Sequence, residues 1–248
     1  MKPSLEHSIW LKDKGIVFIF IPKVACTSWK IFLWQVMGRQ LTSNITYKTV
    51  HNGQELPLPY VSNMHEMDKI VFRQKLRDGE LKVCGMIREP KARVLSGYLD
   101  KVLHHRNPNS SFSRIVIPSI LSQQEITEER RPTFLEFLNW NIHTNLIKGK
   151  QMNDHWRQMH QILGINKMSD LNTSQIMIWD ITQQEVASKW FNKQYNTKIE
   201  FPNSQSLGHR PTNNSEKKLE KYYNASENEK FNSLYRLDVE LHKAIIEK

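Results

Sequence analysis

The chain has 248 residues, of which 39% are hydrophobic and 24% charged, a composition typical of a globular protein with a sizeable core. Its formal charge of +10 favours anionic partners such as nucleotides, acidic glycans, nucleic acid or a membrane surface. The basic residues are dispersed and form no long tract, so we do not expect a nucleic-acid-binding protein.

The cellular compartment can be inferred from the cysteines and the N-terminal segment. Cys26 and Cys84 are too few for a disulfide framework or a zinc site, and they indicate a reducing environment. Residues 1–14 lack a hydrophobic signal segment, and no apolar run reaches membrane-spanning length. We therefore expect a cytoplasmic protein that associates with membranes at most peripherally.

The first predicted strand, 16–21, leads into a loop of small residues with one lysine and two hydroxyls. Pro22 ends the strand because it has no N–H to donate, and an apolar helical pattern begins near Thr27. A helix N-terminus directs free N–H groups and a positive dipole end at such a loop. The segment therefore predicts a site for a phosphate-like anion, although it lacks the glycines of a nucleoside triphosphatase loop.

A second strand, 81–87, is followed by Arg88 and by a predicted helix over 90–103. Pro90 suits the first position of that helix. Arg88 at the strand end and Ser96 on the helix can bind one phosphate from two sides. Two separate anion loops on one sheet suit a ligand with two separated anionic ends.

The remaining chain continues the alternation of strands and helices. We predict a helix over 65–76 and loops over 41–63 and 104–119. A third strand is predicted at 175–179, and the further helical segments are 133–148, 183–195 and 215–248. This alternation predicts one domain over 1–248, an α/β fold whose central parallel sheet is covered by helices on both faces.

Two of these segments resemble motifs of the carbohydrate sulfotransferases that use 3′-phosphoadenosine 5′-phosphosulfate (PAPS). Residues 22–30 resemble the 5′-phosphosulfate loop of that family, and Arg88-Glu89-Pro90 with the residues after it resembles the 3′-phosphate motif. Weaker matches are Phe134-Leu135-Glu136-Phe137-Leu138, Asp154-His155-Trp156, and Tyr235 with Asp238. The chain departs from the family at Gln158-Met159 and lacks the anchor and further cysteines of the animal Golgi enzymes, so it resembles a compact, soluble microbial relative.

The resemblance implies a P-loop-NTPase-like, three-layer α/β/α fold and PAPS as co-substrate, with no metal required. Lys23 would stabilise the departing nucleotide phosphate, while Arg88 and Ser96 would bind the 3′-phosphate. Arg210 lies where relatives fold a loop over the nucleotide; we expect Arg93 to form a structural ion pair. The implied 5′-phosphosulfate loop consists of Pro22, Lys23, Val24, Ala25, Cys26, Thr27, Ser28 and Trp29.

The acceptor hydroxyl needs a base, and histidine suits neutral pH. His65 stands roughly where some family members have their catalytic histidine, and neighbouring Glu66 could orient or replace it. His51 is the next candidate. His155 and Trp156 are candidates for acceptor binding, with burial as structural residues the alternative.

Three functions stay open from the sequence. The first is sulfuryl transfer from PAPS to a hydroxyl of a carbohydrate or glycoconjugate. The second is transfer to a small molecule on the same scaffold, and the third is non-catalytic binding of a nucleotide or polyanion. The sequence identifies neither the acceptor nor the oligomeric state.

Overall fold

The computed structural model describes residues 2–42, 45–46, 49–50, 56–127, 130–147, 152–171, 174–202 and 214–247. The chain divides into two compact units. The first unit comprises Met1–Arg88, Met159–Arg210 and Glu240–Lys248; the second comprises Glu89–Gln158 and Pro211–Val239. A single domain over the whole chain stays a prediction.

A four-stranded sheet forms the centre of the first unit, in the order β1-β2-β3-β4. The strands are β1 (Ser8–Leu11), β2 (Ile16–Ile19), β3 (Lys82–Ile87) and β4 (Ile176–Asp180). β2, β3 and β4 are parallel, as predicted, whereas β1 is antiparallel to β2. The sequence pattern missed β1 because it has only four residues and follows the polar N-terminal segment.

The α-helices follow the sequence prediction closely, with two additions, at Ile117–Gln123 and Met159–Leu163. In chain order they are α1 (Cys26–Val36), α2 (Glu66–Arg77), α3 (Pro90–Tyr98), α4 (Ile117–Gln123), α5 (Phe134–Ile142), α6 (Met159–Leu163), α7 (Gln184–Tyr195), α8 (Leu219–Tyr222) and α9 (Ala225–Ile246). The prediction of a loop over 104–119 was wrong at its end, where a π-helical turn at Phe112–Val116 leads into α4. Pro118 in the first turn of α4 is compatible with a helix start rather than a loop.

Helices cover both faces of the sheet in the first unit. On one face, the Phe18 ring of β2 lies 5.1 Å from Trp29 of α1 and 5.8 Å from Phe191 of α7. On the other face, Trp10 of β1 contacts Phe72 of α2 at 5.5 Å between ring centroids. α6 also packs on that second face, where a Cβ on Gly85 would lie 2.9 Å from Leu163. The predicted three-layer α/β/α arrangement is therefore confirmed within this unit.

The second unit is helical and has its own aromatic core. Phe137 of α5 lies 5.4 Å from Tyr98 and 5.1 Å from Trp156 between ring centroids. The Tyr235 hydroxyl donates to the carbonyl oxygen of Trp156 over 2.5 Å. Across the part of the chain that the structure describes, no helix combines the length and the apolarity needed to cross a bilayer.

Candidate functional site

The carboxyl ends of β2, β3 and β4 lie side by side at one edge of the sheet. β2 ends at Ile19, which pairs with Gly85 of β3, and β3 ends at Ile87, which pairs with Asp180 of β4. The loop containing Lys23 follows β2, and Arg88 follows β3 directly. This edge of an open α/β sheet is where ligands bind in such folds, and the order of the strands places both predicted anion loops there.

The loop between β2 and α1 has an unusual backbone conformation. Lys23 and Ala25 adopt positive φ angles of 71° and 48°, which non-glycine residues rarely adopt without a compensating role. Ala25 caps α1 and has no side-chain oxygen for the first-turn N–H groups, so this helix start is suited to an anionic acceptor.

Arg88 is hydrogen-bonded to this loop. Its Nη1 donates to the carbonyl oxygen of Lys23 over 3.1 Å. The structure thus brings together Lys23 and Arg88, the two residues that the sequence analysis placed on separate loops. A guanidinium held against the loop fixes the Lys23 backbone and adds positive charge at the same edge.

The remaining side chains of the loop and the first turn of α1 are mostly buried. Thr27 and Ser28 are 5% and 4% exposed. Trp29 is fully buried and packs against Phe32 at 5.5 Å and Phe201 at 4.8 Å between ring centroids. Only the backbone of Trp29 can therefore contact a nucleotide, because its side chain is part of the core.

On the β1 side of β2, away from β3, lies a group of residues that sequence reasoning missed. We call it the Lys30 cluster; it consists of His7, Phe20, Cys26, Lys30 and Tyr60. The Lys30 ammonium lies 4.3 Å from the Phe20 ring centroid and 5.4 Å from that of Tyr60. The His7 ring lies 5.1 Å from Phe20 on the same side of β2. The spacing of Lys30, one helical turn after Cys26, was the available sequence signal.

His65 is exposed and occupies the position just before α2. Its Nδ1 accepts a long hydrogen bond of 3.4 Å from the Met67 N–H and so caps the helix. Glu66 is bound to Lys69 over 2.8 Å, and this hydrogen bond holds the pKa of the Glu66 carboxyl below its usual range. Glu66 is thus a weaker base than an ordinary glutamate, which favours His65 of the two.

Several predicted residues belong to the second unit. Ser96, on α3, is 2% exposed. The Trp156 side chain is fully buried in the aromatic core, whereas His155 is half-buried and bound to Asn153 over 2.7 Å. Arg93 is structural, as predicted, since its guanidinium donates to the carbonyl oxygens of Asp154 and Arg157 over 2.8 and 2.7 Å.

Two predicted site residues, His51 and Arg210, lie outside the described residues. Their assignments stay predictions.

Comparisons with known proteins agree with this geometry. A sequence profile described as "Sulfotransferase family" matches residues 6–243. The chain is 24% identical to carbohydrate sulfotransferase 11 of Rattus norvegicus over 169 residues, which cover 64% of this chain and 46% of that protein. It is 22% identical to carbohydrate sulfotransferase 12 of Xenopus laevis over 184 residues, covering 64% and 42% of the two chains. It is 25% identical to carbohydrate sulfotransferase 14 of Danio rerio over 165 residues, covering 65% and 42%.

The chain spans less than half the length of these curated relatives in the matched region. No solved structure matches it significantly.

Proposed function

This chain belongs to the sulfotransferase family, and we propose that it transfers the sulfuryl group of PAPS to a hydroxyl of a carbohydrate or glycoconjugate. The carbohydrate acceptor is supported by the names of the relatives at 22–25% identity. The observation that carries the proposal is the hydrogen bond between Arg88 and the Lys23 carbonyl, since it joins both predicted anion loops at one sheet edge.

In the proposed mechanism, the loop binds the 5′ end of the donor. The N–H groups from Ala25 to Ser28, at the start of α1, hold the 5′-phosphate; the N-cap residue Ala25 has no side-chain acceptor to offer them. Lys23 contacts the oxygen that links sulfur to the leaving nucleotide and stabilises the charge that develops there. Arg88 supplies the cation for the 3′-phosphate. Ser96 and Arg210 are assigned to the nucleotide by resemblance alone.

The sulfuryl group is transferred in line, from the oxygen of the donor's 5′-phosphate to the hydroxyl oxygen of the acceptor. The group carries less charge than a phosphoryl group, so fixed cations and N–H donors can provide the stabilisation, and the proposal requires no metal. His65 is the proposed base for the acceptor hydroxyl, because a histidine exchanges protons near neutral pH. Its Nδ1 is the acceptor nitrogen of the neutral ring, so the 3.4 Å hydrogen bond from the Met67 N–H must open when Nδ1 takes the proton.

The activity test measures radioactive sulfate transfer from labelled PAPS to polysaccharides, glycolipids and simple phenols. We expect transfer to a carbohydrate by the wild-type protein and a loss of at least about a hundredfold in Lys23→Ala, since Lys23 stabilises the leaving group. Lys189→Ala is the matched control, because Lys189 is an exposed lysine of α7 with 73% of its side chain accessible.

The outcomes separate the alternative functions. Transfer to phenols alone would replace the carbohydrate acceptor by a small molecule. Binding of the nucleotide without transfer to any acceptor would indicate a non-catalytic binding protein. Equal transfer by Lys23→Ala and wild type would remove Lys23 from the mechanism.

A further inference from the structure

Lys30 is a buried lysine at the edge of the sheet that carries the donor loop. Only 5% of the residue is exposed. Its ammonium lies over the rings of Phe20 and Tyr60, at 4.3 and 5.4 Å from their centroids. Aromatic faces attract a cation, but they supply no net negative charge to balance it.

Among the residues that the structure describes, Lys30 contacts no carboxylate within ion-pair distance. The neighbours that act on its charge are these two rings and the Cys26 thiol. Burial lowers the pKa of the Lys30 ammonium, and Cys26 opposes this shift in part. An ammonium removed from water without a counter-ion costs free energy that an incoming anion can recover.

The position of Lys30 on α1 directs this charge toward the donor loop. Lys30 follows Cys26, the first residue of α1, by four positions, so both lie on the same helix face. Side chains of a helix lean toward its N-terminus, which brings the ammonium beside the first turn. The first N–H groups of α1 and the positive end of the helix dipole lie at that same turn, and the N-cap residue Ala25 has no side-chain acceptor there.

We propose that Lys30 is a second cation of the donor site, which strengthens binding of the donor's 5′-phosphate end from beneath the first turn of α1. This inference rests on the proposed function and extends it to Lys30, which ends the 22–30 motif but is not among the residues assigned to the nucleotide. Lys23 acts at the transferred group, whereas Lys30 provides a fixed charge behind the N–H groups. Within the described residues no carboxylate balances the Lys30 ammonium, and the bound anion supplies the opposite charge.

This arrangement predicts opposite effects of one substitution on stability and on binding. Lys30→Met keeps the length of the side chain and removes its charge, so the unliganded protein should melt at the same or a higher temperature. Its affinity for adenosine 3′,5′-bisphosphate, measured by titration calorimetry on the full chain, should fall by about tenfold or more. Lys30→Arg keeps the charge and should retain most of the affinity.

Lys82→Met is the matched control. Lys82 begins β3 at the opposite edge of the sheet, and its ammonium lies 5.9 Å from the Trp190 ring centroid. Lys82→Met therefore also removes a positive charge beside an aromatic ring, but far from the carboxyl ends of the strands. We expect its affinity to stay within about twofold of wild type, because exposed charges are screened over this range.

Three results would overturn the inference. One is a Lys30→Met protein that binds the bisphosphate like wild type while Lys23→Ala loses binding; the proposed function would then stand without Lys30. Another is an equal loss in Lys82→Met, which would indicate a general charge effect. The third is a Lys30→Met protein that melts lower and binds weakly, with no recovery in Lys30→Arg, which would indicate a packing role. Absence of binding by wild type would instead contradict the proposed function and this inference together.

Discussion

The guanidinium of Arg88 and the backbone of Lys23 are joined by a hydrogen bond of 3.1 Å from Nη1 to the Lys23 carbonyl oxygen, across 65 positions of the chain. Each residue follows a different parallel strand, and β2 and β3 are neighbours in the sheet. Arg88 therefore positions the loop that carries Lys23, in addition to its proposed contact with the nucleotide.

This link predicts that Arg88→Lys is not a conservative change. Lysine keeps the positive charge but loses the planar fork that can contact the loop and an anion together. We expect the kcat for sulfate transfer to fall by about tenfold or more, through misplacement of Lys23. Arg77→Lys on the exposed surface of α2 is the control and should keep full activity. Wild-type kcat in Arg88→Lys would contradict the positioning role.

His65 can be tested as a base without loss of its helix cap. Asparagine is a good N-cap residue, so His65→Asn should preserve the melting temperature while it removes the proton acceptor. We expect a loss of kcat of about a hundredfold with little change in KM for PAPS. His65→Ala removes both functions and should also lower the melting temperature. If His65→Asn turns over like wild type, another group is the base.

Much of this site could be predicted from sequence because its signals are local. The run before Pro22 specified a buried strand, and the small residues after it specified a tight loop and a helix start. The hydrogen bond from Arg88 to Lys23 forms because β2 and β3 are neighbours in the sheet. The hydrophobic periodicity of the sequence does not reveal the order of the strands. Lys30 was missed for a related reason, since the rings beside it come from Phe20 and from Tyr60, 30 residues away in sequence.

Two tryptophans among the predicted site residues have buried side chains. Trp29 ends the predicted loop, and its side chain lies in the core among four phenylalanine rings, those of Phe18, Phe32, Phe191 and Phe201. Trp156 likewise serves the core of the second unit. Tryptophan side chains are usually buried in proteins, and this also holds for tryptophans that lie within a sequence motif.

The buried Lys30 predicts a specific pH dependence of stability. Burial lowers its pKa in the folded protein below the unfolded value, so between the two values the unfolded chain holds more protons. The contribution of Lys30 to stability therefore rises with pH through that window. Lys30→Met lacks this contribution. Its melting temperature should therefore exceed that of wild type most near neutral pH, and the difference should shrink toward about pH 10.

The titratable groups around Lys30 are present both in the wild-type protein and in Lys30→Met. They are the Cys26 thiol, the Tyr60 phenol, whose pKa is raised by burial, and His7 on the other side of Phe20. Their titration largely cancels in the comparison of the two melting curves. A difference that stays constant from pH 6 to about pH 10 would contradict the assignment of a lowered pKa to Lys30.

Asp180 is predicted to fix the carboxyl end of β4. Its carboxylate accepts from the Thr182 N–H over 2.9 Å and lies 3.1 Å from Nε2 of His242 near the end of α9. Asp180→Ala should destabilise the protein by about 1 kcal/mol in urea unfolding, since the Thr182 N–H at this helix start loses its acceptor. Asp180→Asn keeps an oxygen for the Thr182 N–H and should cost less. Equal stability of wild type and Asp180→Ala would exclude this role.

The central claim is that the two loops form one site for a nucleotide with two anionic ends. Titration calorimetry of the wild-type protein with adenosine 3′,5′-bisphosphate and with adenosine 5′-monophosphate tests it most directly, because the two ligands differ only in the 3′-phosphate. We predict that the bisphosphate binds at least about tenfold more tightly, and that Arg88→Ala removes most of this difference. No binding of the bisphosphate, or equal affinity for both nucleotides, would contradict the claim.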